Sequence, residues 1–138
     1  MVMKKMTFIS IMFLVIAGNV SCNAQESKTE NTGRTAAGIE AYYFHYTNRC
    51  ITCRTVESEA KASLKNLYGN KVTFLSLNLE EELGKTEAKK LGVSGQTLLI
   101  VVGSKKINLT NEGFMYARSN PEKFKAAIKE KVDALLMQ

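Results

Sequence analysis

Between Ile39 and Tyr68 the hydrophobic period of the chain changes, and the change falls on a pair of cysteines. Ile39 to Tyr46 is dense in aromatic residues, which suit a pleated and buried surface, so this stretch reads as a strand. From Cys50 to Tyr68 the apolar positions Cys53, Val56, Ala60, Leu64 and Leu67 recur every three or four residues, with Arg54, Glu57, Lys61 and Lys65 on the other side. That is the spacing of an amphipathic helix, and Gly69-Asn70 supplies its stop. The segment Cys50-Ile51-Thr52-Cys53 therefore stands where the first strand hands over to the first helix.

The same reading continues to the end of the chain. Val72 to Leu79 reads as a second strand, with Val72, Phe74 and Ser76 on one face and Leu75, Leu77 and Leu79 on the other. Glu80 to Glu82 place negative charge at the start of a short helix that ends near Leu91-Gly92, which suits the helix dipole. Thr97 to Val102 is a continuously apolar third strand, Gly103 to Lys106 a hairpin turn, and Ile107 to Thr110 a fourth strand. After a loop through Gly113, a last helix begins at Pro121, capped either by Ser119 with Glu122 or by Asn120, and Phe124, Ile128, Val132 and Leu135 form its buried stripe. The order strand, helix, strand, helix, strand, strand, helix predicts an α/β domain over residues 39–138, a central mixed four-stranded sheet covered by helices on both faces.

The first 24 residues have a different layout. Lys4 and Lys5 precede the uncharged apolar run Phe8 to Ala17, and small and polar residues follow, which is the pattern of a cleaved signal peptide. The run is about ten residues long, against the ~20 that a membrane-spanning helix needs. Asn19-Val20-Ser21-Cys22 resembles the box at which bacteria attach lipid to a new N-terminal cysteine, although leucine usually stands where Asn19 does. Cys22-Asn23-Ala24 equally serves as a small-x-small site for ordinary cleavage before Gln25. Cys22 is thus a lipid anchor in one reading and discarded in the other, and the protein is expected to be exported, either periplasmic or held to the inner or outer membrane through lipid. Residues 25–38 are polar and lack an apolar period, so they read as a flexible tether.

The formal charge of +6 raises the question of nucleic acid, but loss of Lys4 and Lys5 with the signal leaves +4. The remaining lysines alternate with glutamates along the helices and form no compact basic and aromatic cluster, so a solvated surface is expected and no nucleic-acid partner.

The cysteine pair carries the chemistry. A helix N-terminus offers unpaired backbone N–H groups and the positive end of the dipole, both of which stabilise a thiolate at Cys50. Arg49 and Arg54 add positive charge. Cys53 returns to the same side about one turn deeper and can attack a mixed disulfide formed at Cys50. Cys50 is then the nucleophile and Cys53 the resolving thiol. His45, at the end of the first strand, is a candidate for moving protons or a packed residue among aromatics. A four-coordinate zinc site would need about two further ligands, and only His45 and carboxylates remain to supply them, so no metal is assigned.

Here the sequence resembles the thioredoxin superfamily over residues 39–138. The resemblance rests on the CxxC after the first strand, on Leu77-Asn78, on Gly92-Val93 leading to Thr97-Leu98-Leu99-Ile100, and on the closing hairpin and helix. More narrowly, Tyr43-Phe44-His45, Arg49 to Cys53 and Gly95 to Leu99 resemble small exported thioredoxin-like bacterial proteins described as a nitrophenyl-compound nitroreductase subunit in arsenical-resistance clusters. The resemblance implies a thiol–disulfide oxidoreductase or dithiol electron carrier that needs no cofactor beyond the Cys50–Cys53 disulfide and exchanges with a protein thiol, disulfide or reductase. It places Arg49, Gln96 and Thr97 beside the substrate. Phe44 takes the position of that family's buried aspartate, Ser76 that of its buried lysine, Arg49 that of its tryptophan and Thr52 that of its internal proline. Gln96 stands where the family keeps a cis-proline, and the chain's one proline is Pro121. Gln96 keeps an N–H and adds an amide, which opens an alternative: a metal or cluster held by Cys50 and Cys53 of two chains. The other functional alternatives are a binding subunit with a structural disulfide and a dithiol module for soft metals or arsenicals.

Overall fold

The computed structural model describes residues 38–138; the signal segment, Cys22 and the tether up to residue 37 lie outside the described residues. Four strands form one sheet: β1 (Ile39–His45), β2 (Val72–Asn78), β3 (Thr97–Val102) and β4 (Lys105–Asn108). Their spatial order is β2-β1-β3-β4. β1 runs parallel to β2, with Tyr43 opposite Ser76 and Phe44 opposite Leu77, and antiparallel to β3, with Tyr43 opposite Leu98 and Phe44 opposite Thr97. β4 returns antiparallel to β3, with Val102 opposite Lys105. The parallel pair requires a crossover, and α1 (Ile51–Tyr68) supplies it. α2 (Glu82–Leu91) joins β2 to β3, and α3 (Thr110–Tyr116) and α4 (Pro121–Leu136) follow the hairpin.

Alternation along β1 divides the core in two. Ile39, Ala41 and Tyr43 pack with Leu98 and Ile100 against Val56, Ala60 and Leu64 of α1 and Phe124, Ile128 and Val132 of α4. Tyr42 and Phe44 point the other way, to Leu77, Leu99 and Val101 and to Ala88 of α2. The sheet is therefore covered on both faces, as the order of elements predicts, and the fold is an α/β arrangement around a mixed four-stranded sheet. α1 and α4 share one face; α2 lies on the other.

Two local expectations are corrected, and the choice between two caps is decided. The hairpin turn is Gly103-Ser104 alone, with Gly103 at φ 61°, so β4 begins at Lys105 and ends at Asn108 instead of spanning Ile107 to Thr110. A two-residue turn with a left-handed glycine lets the returning strand pair at once. The predicted loop through Gly113 is the helix α3: Asn108 Oδ1 accepts from the Thr110 backbone N–H at 2.9 Å, and Gly113 sits so close to α1 that a Cβ there would lie 2.7 Å from Val56 Cγ1. The missing side chain lets this short helix pack directly against α1. At the start of α4, Asn120 Oδ1 accepts from Lys123 N at 3.0 Å, while Ser119 donates back to the Met115 carbonyl; the cap is Asn120.

Candidate active site

Cys50 is the N-cap of α1, in extended backbone, and its Sγ accepts from the Cys53 N–H at 3.2 Å. The helix thus directs a free donor at the outer sulfur, the geometry that favours a thiolate once the pair is reduced. No acidic residue stands in the first turn of α1 to oppose that charge. Cys50 is exposed, whereas Cys53 is 7% exposed, and the two are joined in a disulfide with Cα atoms 5.2 Å apart. The outer sulfur can meet a partner, and the inner one can be reached only from within the pair.

Behind Cys53 lies a polar chain that crosses from α1 to the sheet. The Tyr43 hydroxyl, on a side chain that is fully buried, donates to the Cys53 carbonyl at 2.7 Å. The Gln96 side-chain Nε2 lies 2.6 Å from the same hydroxyl, and Gln96 Oε1 lies 3.6 Å from Cys53 Sγ. Burial pushes the Tyr43 hydroxyl above its ordinary pKa, against a smaller opposing effect of the Gln96 hydrogen bond, so it keeps its proton. Gln96 reaches this place because it directly precedes β3, whose neighbour is β1.

The other candidates fall in different surroundings. The His45 ring hydrogen-bonds through Nδ1 with the Tyr46 carbonyl at 2.9 Å and lies 6.1 Å, centroid to centroid, from the Tyr43 ring. Arg49 pairs with Glu57 of α1, so its charge is shared with a carboxylate. Thr97 is buried, and its hydroxyl donates to the Gly95 carbonyl at 2.9 Å, which shapes the loop that presents Gln96.

Two positions carried over from the thioredoxin resemblance need correction. Phe44 is buried on the α2 face of the sheet, away from the face on which α1 packs, and Ser76 is exposed. The alternation of β1 puts Tyr43, not Phe44, beneath the cysteine helix. Sequence reasoning missed the role of Tyr43; the signal available was its two-residue spacing from Ala41 on the α1 face. It also missed Arg118, whose Nη1 donates to Thr52 Oγ1 at 3.4 Å and brings a cation to the middle of the CxxC.

Among the described residues, no group of three or more His, Cys, Asp and Glu comes together as a metal site. A shallow groove of about 380 Å³ runs beside α2, lined by Tyr46, Leu79, Lys85, Ala88, Lys89, Val93 and Ser94; it includes neither cysteine. No helix among the described residues is long and apolar enough to cross a membrane.

No family model matches this chain, and no curated protein matches it. Among solved structures it is similar to thioredoxin O2 from Arabidopsis thaliana in the oxidized state, at 20% identity and TM-score 0.47, over 68% of this chain and 75% of that one. It is similar also to the germline-specific thioredoxin Deadhead from Drosophila melanogaster, at 19% identity and TM-score 0.44, over 68% of this chain and 81% of that one. A third structure, described as that of a malarial protein, matches at 20% identity and TM-score 0.40, over 50% of this chain and 74% of the other.

Proposed function

We propose that the chain is an exported thiol–disulfide oxidoreductase or dithiol electron carrier that works through a mixed disulfide at Cys50. The observation that carries this reading is the asymmetry of the pair: an exposed Cys50 at a helix N-cap, accepting a backbone N–H, and a buried Cys53 bonded to it. A disulfide kept only for stability gains nothing from exposing one sulfur at a thiolate-stabilising position. The Cys50 thiolate attacks a partner disulfide, forms the Cys50–partner bond and releases one partner thiol. Cys53 gives up its proton and attacks Cys50 Sγ, which closes the disulfide and frees the second partner thiol, so two electrons have passed to the partner. The same steps reversed oxidise a partner dithiol.

The partner in this reading is a protein thiol, a protein disulfide or a reductase. The narrower sequence resemblance supports a role as the redox subunit of a nitroreductase system. The signal-like first 24 residues support export to the bacterial periplasm, and the Asn19 to Cys22 box supports attachment through lipid at Cys22.

Replacement of Cys53 by alanine tests the mechanism. The variant is expected to accumulate disulfide-linked partners at Cys50 that reductant releases, whereas Cys50→Ala accumulates none. Absence of any trapped partner, together with no exchange with glutathione, would favour a structural disulfide. The reduction potential of the pair then decides direction: a strongly reducing value supports electron delivery, an oxidising one disulfide formation.

A further inference from the structure

The orientation of the Gln96 amide follows from counting protons. A tyrosine hydroxyl has one proton, and that of Tyr43 is engaged with the Cys53 carbonyl, which can only accept. Toward Gln96 the Tyr43 oxygen is therefore an acceptor, and the group 2.6 Å away must be the Gln96 NH₂. The amide oxygen is then fixed facing Cys53 Sγ, at 3.6 Å. In the disulfide this sulfur carries no hydrogen, so the approach is a contact between two acceptors. After reduction the Cys53 thiol has a proton, and Gln96 Oε1 lies in place to receive it as an S–H···O hydrogen bond.

We infer that Tyr43 is a positioning residue that holds the Gln96 amide oxygen against Cys53, and that this oxygen stabilises the protonated resolving thiol and so shifts the pair toward its reduced form. The inference rests on the proposed redox reading of Cys50 and Cys53. It assigns Gln96 a role that a proline there could not perform, because proline has no side-chain acceptor. The charged groups near Tyr43 are Glu57 and Arg49, and they pair with each other, so the polar chain ends in neutral groups rather than in a carboxylate. The resolving thiol is thus met by an acceptor that cannot take its proton away. The proton leaves when Cys53 attacks Cys50 Sγ in a glutathione mixed disulfide, and the departing glutathione thiolate accepts it. Overall, dithiol and glutathione disulfide give protein disulfide and two molecules of glutathione.

The test is equilibration of wild type, Tyr43→Phe, Gln96→Ala and the double variant with defined ratios of reduced and oxidised glutathione. Each single variant is expected to shift the equilibrium toward the protein disulfide by about fivefold, the scale of one net hydrogen bond. Tyr43→Phe is expected to add less than twofold in the Gln96→Ala background, because it acts through that amide. Gln96→Ala changes a half-buried loop residue and carries the test if Tyr43→Phe does not fold. Equal shifts by Tyr43→Phe in both backgrounds, or a Gln96→Ala equilibrium within twofold of wild type, would overturn the inference while leaving the redox reading intact. A wild-type pair that does not exchange with glutathione at all would overturn that reading and this inference with it.

Discussion

The hydroxyl of Tyr43 in β1 donates to the carbonyl of Cys53 in α1 at 2.7 Å, so the inner cysteine is tied to the sheet through its backbone rather than its sulfur. The sulfur remains available to close on Cys50 or to open from it, while the helix turn that carries it stays in place. Gln96 completes the link from the other side, through the same hydroxyl.

Glu57 pairs with Arg49, the residue that precedes Cys50. Glu57→Gln leaves the guanidinium unpaired beside the N-terminus of α1. The pH midpoint of Cys50 alkylation in the reduced protein is expected to fall by roughly 0.2 to 0.7 of a unit, the equivalent of a partly exposed ion pair. An unchanged or raised midpoint would show that Arg49 does not act on the thiolate.

Two glycines mark places where backbone approaches too closely for a side chain. A Cβ at Gly113 would meet Val56 Cγ1 at 2.7 Å and Phe124 Cζ at 3.4 Å, so Gly113→Ala is expected to lower stability by about 1–3 kcal/mol in urea unfolding. At Gly84 the obstacle is the backbone carbonyl of Asn78, which cannot rotate aside. Gly84→Ala should therefore be the more damaging of the two, and the reverse order would argue against this packing of α2 on β2.

Acid should release one tie between α1 and α4. Lys129 and Tyr68 both hydrogen-bond Asp133, the Tyr68 hydroxyl at 2.8 Å, and together they hold its carboxyl below the usual aspartate range. A carboxyl depressed in the folded state stabilises folding above its unfolded-chain pKa, about 4, and loses that contribution as pH falls through the lower folded value. Asp133→Asn is expected to remove this component, so the stability of the variant declines less steeply than that of wild type below pH ~4. Parallel acid limbs in the two proteins would refute the coupling.

Export and lipid attachment have a direct readout. Expressed in a bacterium with lipoprotein processing, the full chain is expected to partition into detergent with a mass that shows acylation at Cys22, and Cys22→Ser to remain in the aqueous phase. A wild-type protein cleaved before Gln25 and recovered from the aqueous phase would favour plain secretion.

Much of the fold is legible in the sequence, because it rests on local periodicity. The aromatic run from Ile39, the helical spacing from Cys53 to Leu67 and the apolar run Thr97 to Val102 each bury one face or two by their own pattern, and their order allows few topologies. The placement of Cys50 at a helix start followed from the same local change of period. The sequence by itself thus determined the four strands, every helix but α3, their order and the place of the cysteine pair. Only the tertiary structure decided that α3 is a helix, since Gly113 is chosen by its contact with Val56, and that Tyr43 instead of Phe44 lies beneath the cysteines, since a shift of one residue along a strand changes the face. It set the Gln96 amide oxygen 3.6 Å from Cys53 Sγ, across 43 positions. Periodicity describes which way a residue faces; it carries no distance between elements, and the hydrogen bonds of this site are formed between elements.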